Sequence, residues 1–222
     1  TLTALLGCVL APRPDYILVE SPPLFLGLTA YMYSRVRRVR LILCVSDLWP
    51  ASAKELGFVK NRFFLWAAER LARFLYRAAY KVCGVTQGIC AEIQQATRDN
   101  RKVIFMPNGV DLQTFRAFEA TSLDRERLGE IVFIYAGTHG FAQGLEVIIE
   151  AARELTSRKT ISFLLVGDGP DKARLERLAS DYRLDNVRFL PARPAKAMGP
   201  LFSASRASIV PLKRAEIFRG AR

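Results

Sequence analysis

Short apolar runs without polar alternation recur along this chain, and stretches of helical period separate them. The runs fall at residues 16–20, 39–45, 81–85 and 102–106, then at 131–136, 161–166, 187–190 and 207–211. Each reads as a strand. Between most of them lie segments such as 143–156, with Leu145, Ile148, Ile149, Ala152 and Leu155 at helical spacing, and 171–182. A strand that does not alternate is apolar on both sides, so repeated strand–helix units predict an α/β fold with parallel sheets covered on both faces.

Four runs fall on each side of a break. Pro107-Asn108-Gly109 marks a sharp turn, and an irregular, partly charged stretch follows to Gly129. The simplest division is two α/β lobes, 1–106 and 119–222, joined by a hinge at 107–118. The chain is 50% hydrophobic and 24% charged, the balance of a globular protein rather than a disordered one. Its longest uncharged stretch, Ser21 to Ser34, has 14 residues and two prolines. A membrane span requires about 20 apolar residues, so none is predicted, and no secretory signal is visible. Cys8, Cys44, Cys83 and Cys90 show no Cys-x-x-Cys spacing, and with His139 as the single histidine no zinc set can be assembled. Reduced, buried thiols and a cytosolic location are expected.

Strand 131–136 runs directly into GTHGFAQG (137–144) and a helix, and strand 161–166 ends in Gly167-Asp168-Gly169-Pro170 before another. In open parallel sheets ligands bind beyond the carboxyl ends of strands, where helix N-termini favour anions. Two glycine loops on successive strands therefore point to a phosphate-bearing ligand, approached closely by backbone at Gly137, Gly140 and Gly144. A dinucleotide fingerprint is excluded because Lys172 stands where its third glycine belongs, and a P-loop because no glycine is followed by lysine. No Asp-x-Asp pair is present to hold a divalent metal against a diphosphate.

The ordered phrases SPPLFLG (21–27), DLWPASA (47–53), MPNGVD (106–111), GTHGFAQG (137–144), VGDGPD (166–171), NVRFLP (186–191) and VPLKRAEIFRG (210–220) span almost the whole chain. Together they resemble family 4 (group 1) retaining glycosyltransferases of the GT-B type. The branch is the one that builds bacterial surface polysaccharides, including the N-acetylfucosamine-transferring enzymes of O-antigen and capsule synthesis. The resemblance implies two facing Rossmann-like domains, a nucleotide-diphosphate sugar held by the C-terminal one, and transfer with retention without metal or other cofactor. It places 1–106 in the later part of the acceptor domain and 119–222 in the first part of the donor domain, both incomplete. By the same resemblance the chain looks like the middle of a longer enzyme, inactive alone, since the ribose-gripping glutamate and the acceptor domain's own glycine loop have no counterpart.

Residue by residue, the resemblance puts the donor diphosphate against the loop 137–144, where Thr138 and Gln143 stand at positions that many members give to Arg and Lys. Gly167, Asp168 and Gly169 form the second loop, Ala192 and Arg193 match the segment that holds the nucleotide base, and Arg219 is a cation beside the diphosphate. His139 has glycine neighbours that leave no side chains to bury it, and is expected to face a ligand as a catalytic residue. Asp47, at a strand end, has two readings: a cap accepting a backbone N–H of the following turn, or a catalytic carboxylate near the acceptor hydroxyl.

Residues 62–80 read as one helix. Phe63, Phe64, Ala67, Leu71, Phe74, Leu75 and Ala78 make a broad apolar face expected to pack on a sheet. Opposite lie Arg62, Glu69, Arg73 and Arg77, with Trp66 and Tyr80 among them. Arginines flanked by Trp and Tyr suit an anionic headgroup boundary, predicting peripheral attachment at the inner face of the cell membrane and a polyprenyl-linked or glycan acceptor. The formal charge is +12, but the basic residues are spread over both halves without a nucleic-acid-reading motif, so no nucleic-acid partner is expected. The alternative to an enzyme is a truncated, non-catalytic product with residual nucleotide or membrane binding.

Overall fold

The structure is a computed structural model and describes Gly7 and residues 12–113 and 130–213. Its contacts form two compact units, and the chain passes from one to the other between Gly109 and Val110. Residues 114–118 of the predicted hinge lie outside the described residues.

In the first unit, β1 (Tyr16–Ser21), β2 (Arg40–Val45), β3 (Lys81–Gly84) and β4 (Val103–Phe105) form a parallel sheet in the order β1-β2-β3-β4. The helices are α1 (Leu24–Arg37), α2 (Ala51–Glu55), α3 (Arg62–Ala78) and α4 (Gln87–Thr97). Side-chain oxygens start two of them: Asn61 accepts from the Phe64 amide and Thr86 from the Ile89 amide. Partners across the ladder share a face, so Val19, Leu43 and Val82 point one way and Leu18, Ile42 and Lys81 the other. The first set lies in the core with Leu41, Val45, Leu75 and Ile93. On the second face Leu18 and Ile104 are exposed, 62% and 41%. The expected cover on both faces is therefore incomplete here among the described residues, although Cys44 and Cys83 on this face are buried. Strictly sequential strand order is the reason: right-handed crossovers put every helix on the same side.

Helix α3 is also turned from its predicted orientation. The buried positions are Leu65, Ala68, Ala72, Leu75 and Tyr76, whereas Phe63 is 75% and Phe74 43% exposed. Two alanines form the contact stripe because small side chains let the helix approach its neighbours, and apolar area alone does not report that distance. Cys44, Cys83 and Cys90 are free and buried, and burial pushes the Cys44 thiol up to about 11.

In the second unit, β5 (Ile131–Ala136), β6 (Ile161–Val166), β7 (Val187–Leu190) and β8 (Ala207–Ser208) form a parallel sheet in the order β7-β6-β5-β8. Helices α5 (Glu146–Glu154), α6 (Lys172–Asp181) and α7 (Met198–Ala204) complete it. This sheet is covered on both faces. Phe163 and Leu165 pack with Ile148, Ile149 and Leu175, while Val132, Ile134 and Leu164 pack with Met198 and Phe202. The strand order reverses at β5, because β8 returns to its other side, and such reversals leave a crevice beyond the carboxyl ends of the strands.

Candidate functional site

The two glycine loops of the second unit are clasped together. The Gly137 amide donates to the Val166 carbonyl at 3.0 Å, and the His139 amide to the Asp168 carbonyl at 2.8 Å. The Asp171 amide returns a bond of 2.9 Å to the His139 carbonyl. The close approach requires two glycines. A Cβ on Gly167 would lie 1.9 Å from the Gly137 oxygen, and one on Gly169 would lie 2.5 Å from the His139 oxygen. Lys172 adds a strap, its Nζ donating to the carbonyls of Gly167 at 3.0 Å and Leu190 at 3.4 Å.

His139 corrects the sequence reading. Its ring is wholly buried, with Tyr135 and Phe189 at centroid distances of 5.7 and 6.2 Å. Glycine neighbours do not keep it open, because the opposing loop and two aromatic rings fill the space they leave. Nδ1 and Nε2 have no hydrogen-bond partner among the described residues. Burial lowers its pKa, Lys172 lowers it further, and Asp168, Glu176 and Asp171 oppose them. The residue that reads as ligand-facing is thus a neutral wedge inside the clasp.

The helix N-termini carry the protein's own carboxylates. Asp171, 1% exposed, receives Arg174 through bonds of 2.6 and 2.7 Å, and the same guanidinium reaches Glu146 at the start of α5 at 2.9 Å. These bonds raise the pKa of Arg174. The ends of α5 and α6 are thus occupied by carboxylates, and Arg193 and Asp168 are the charged groups on the cavity lining.

A cavity of about 460 Å³ opens beyond the carboxyl ends of β5 and β6. It is lined by Gly137, Thr138, Gly167, Asp168, Ala192 and Arg193, and Met198 and Phe202 add apolar surface. Six residues from three separate phrases of the sequence thus share one cavity. Gly140, Gln143, Gly144 and Gly169 do not line it. Gly140 and Gly144 are buried, and the Gln143 backbone N–H donates to the Gly140 carbonyl at 3.3 Å. Arg219 lies outside the described residues. The sequence reading missed Met198 and Phe202, whose spacing on α7 is ordinary for a core helix. It also missed Lys172, legible only as the residue that broke a fingerprint.

In the first unit Asp47 follows β2 and is half-buried. Its Oδ2 accepts the Ser52 hydroxyl at 2.7 Å, so the cap partner is a side chain of α2 rather than a backbone amide. Its charge adds to the burial that pushes the Tyr76 hydroxyl up to about 12. On α3, Arg62, Trp66, Arg73 and Arg77 are exposed, and Phe63 stacks on Trp66 at 5.8 Å. Trp66, Arg70, Phe74 and Arg77 line a groove of about 730 Å³. Tyr80 lies beyond the helix end, where Arg40 sits over its ring at 4.7 Å, and so it does not belong to the helical stripe. Among the described residues no helix is long and apolar enough to cross a membrane.

Two parallel α/β sheets, one bearing interlocked glycine loops over a strand-end cavity, agree with the fold of GT-B glycosyltransferases. The sequence carries that class directly: the Glycosyl transferase 4-like domain matches residues 1–109, and Glycosyl transferases group 1 matches residues 122–218. Each half of the chain thus resembles a glycosyltransferase domain, the second that of group 1. It is 27% identical over 211 residues to WcaI of Escherichia coli (strain K12), whose name assigns it to colanic acid biosynthesis as a glycosyl transferase. That match takes in 91% of this chain and 52% of WcaI. WbjE of Pseudomonas aeruginosa, named as a glycosyltransferase, is 23% identical and is matched over 83% of this chain and 47% of its own. The chain thus spans about half the length of the curated relatives it matches. Among solved structures, Anabaena HepE in complex with UDP and glucose has a TM-score of 0.70 at 17% identity, covering 93% of this chain and 54% of its own. WaaG, a glycosyltransferase involved in lipopolysaccharide biosynthesis, has a TM-score of 0.62 at 15% identity, covering 93% and 63%.

Proposed function

We propose that this chain serves a glycosyltransferase of bacterial surface-polysaccharide synthesis. A nucleotide-diphosphate sugar is the donor, and a polyprenyl-linked or glycan acceptor receives the sugar with retention. The observation that carries this reading is the strand-end cavity, where glycine backbone, Thr138 and Arg193 meet beside apolar Ala192, Met198 and Phe202. The Gly137 and Gly167 amides are engaged with Val166 and Leu190, so the Thr138 hydroxyl and the positively charged Arg193 are the lining groups suited to phosphate oxygens, and the apolar side suits a base. The UDP-bound HepE, of similar fold, supports that donor class, and WcaI's name supports the polysaccharide context.

Transfer would proceed on the face the leaving group vacates, the departing diphosphate oxygen taking the acceptor proton. Protein groups then contribute positioning and charge stabilisation, without a metal ion or cofactor. Asp47 is held by Ser52 in a position to order the strand end. The exposed face of α3, with Phe63 and Trp66 beside Arg62, Arg73 and Arg77, would rest on the anionic inner surface of the cell membrane. No nucleic acid is involved.

Calorimetry with uridine diphosphate and other nucleoside diphosphates tests the donor site. Ala192→Trp, which fills the cavity, should weaken binding at least tenfold, about 1.4 kcal/mol. Unchanged affinity in a folded variant would overturn the assignment.

A further inference from the structure

At the opposite end of the first sheet, the amino ends of three strands assemble a basic cluster. Parallel register aligns Tyr16, first in β1, with Arg40, first in β2, and Lys81 begins β3 on the same face. Arg40 donates to the Tyr16 hydroxyl at 3.1 Å, and its guanidinium lies over the Tyr80 ring at 4.7 Å and the Tyr16 ring at 5.8 Å. It is oriented before any ligand arrives. Arg13 donates to the Arg38 backbone carbonyl at 3.0 Å, which ties its guanidinium to the end of α1. Arg38 itself sits in the left-handed region, φ 53°, at the end of α1.

Two cavities of about 500 and 540 Å³ share Arg38 and Arg40. Arg13, Asp15 and Tyr16 complete one, and Arg35 and Tyr80 contribute to the other. Asp15 is the one carboxylate lining either cavity among the described residues. Arg13, Arg35, Arg38 and Arg40 form no ion pair among those residues. Arg38 and Arg40 line both cavities, with Arg13 on one and Arg35 on the other, so each cavity presents three arginines against at most one carboxylate. Guanidinium forks match the oxygens of phosphate in bidentate fashion, and aromatic stacking holds them in plane.

We propose that Arg13, Arg35, Arg38 and Arg40 form a phosphate-binding site at the amino end of the first sheet. Its ligand is a phosphate-bearing group, carried either by a soluble diphosphate or by a lipid headgroup. The site stands independently of the donor cavity, which belongs to the other unit, and of the α3 face. Nothing in the family resemblance or in the residues of the glycine loops places a ligand here.

Titration of the full chain with inorganic pyrophosphate, paired with co-sedimentation on phosphatidylglycerol vesicles, tests the proposal. Arg40→Lys keeps the charge and removes the fork, Arg38→Gln removes a charge inside the cluster, and Arg98→Gln removes one elsewhere on the same unit. Circular dichroism checks that each variant is folded. The expected result is a pyrophosphate-binding component weakened at least fivefold by Arg40→Lys and by Arg38→Gln and unchanged by Arg98→Gln. If vesicle binding shows that pattern and pyrophosphate does not, the phosphate belongs to a headgroup and the site stands. If neither ligand responds to Arg40→Lys and Arg38→Gln, or if Arg98→Gln acts as strongly as they do, the cluster is bulk positive charge and the proposal fails. Sensitivity to Trp66→Ala reports on the α3 face alone.

Discussion

A methyl group on Gly167 would sit 1.9 Å from the Gly137 carbonyl oxygen, while one on Gly140 would meet only the movable end of Gln143 at 2.6 Å. Two glycines that look equivalent in the sequence therefore carry different loads. Gly167→Ala must separate the loops, an overpacking cost of about 1–3 kcal/mol, whereas Gly140→Ala should cost less than about 1 kcal/mol. Urea denaturation of the two variants measures the contrast, and equal losses would mean the clasp is not rigid. His139 allows a second test at this scale. Its folded pKa lies below the ordinary 6.5, so the unfolded chain binds the proton more readily. The stability it contributes is complete above about pH 6.5 and is lost as pH falls through the folded value. His139→Leu should flatten that acid limb, seen as a smaller change in denaturation midpoint between pH 7 and pH 5. An unchanged limb would assign the acid sensitivity to other groups.

At the scale of the element, α3 shows how a helix can present the right residues in the wrong order of importance. Leu75 is fully buried and Phe63 is 75% exposed, although both sit on the apolar face that periodicity predicts. Leu75→Ala should cost about 2–5 kcal/mol and Phe63→Ser within about 0.5 kcal/mol. Similar losses at both positions would restore the predicted orientation. The joint between α5 and α6 gives a companion case. Arg174→Met leaves the buried Asp171 carboxylate without its partner, at a cost of about 1–3 kcal/mol after allowance for the half-exposed guanidinium. The central strands were legible to the residue, 131–136, 161–166 and 187–190 being the bounds of β5, β6 and β7, whereas the predicted runs 102–106 and 207–211 shorten to Val103–Phe105 and Ala207–Ser208. A run of apolar residues buried on both sides has no competing period, so its limits are plain. A helix has several apolar rows, and which row packs depends on the partner surface.

On the scale of the whole molecule, the charge of +12 acts on any anionic surface the protein meets. Adhesion through α3 should need anionic lipid and fall several-fold as salt rises from 0.1 M to 1 M, because the Debye length shrinks from about 10 Å to about 3 Å. Vesicle flotation across that range checks it, and salt-independent binding would point to apolar insertion instead. From its residue order alone this chain determined an α/β fold, the positions of its central strands, its likeness to glycosyltransferases, and glycine loops at two strand ends. Those properties are local: runs, glycines and ordered phrases are written in consecutive residues. Tertiary structure decided which of the glycines line the cavity and which lie behind it, why His139 is a wedge, which row of α3 is buried, and that Tyr16, Arg38 and Arg40 share one corner. Each depends on distances between segments remote in sequence, and those distances exist only after the sheets have set their register.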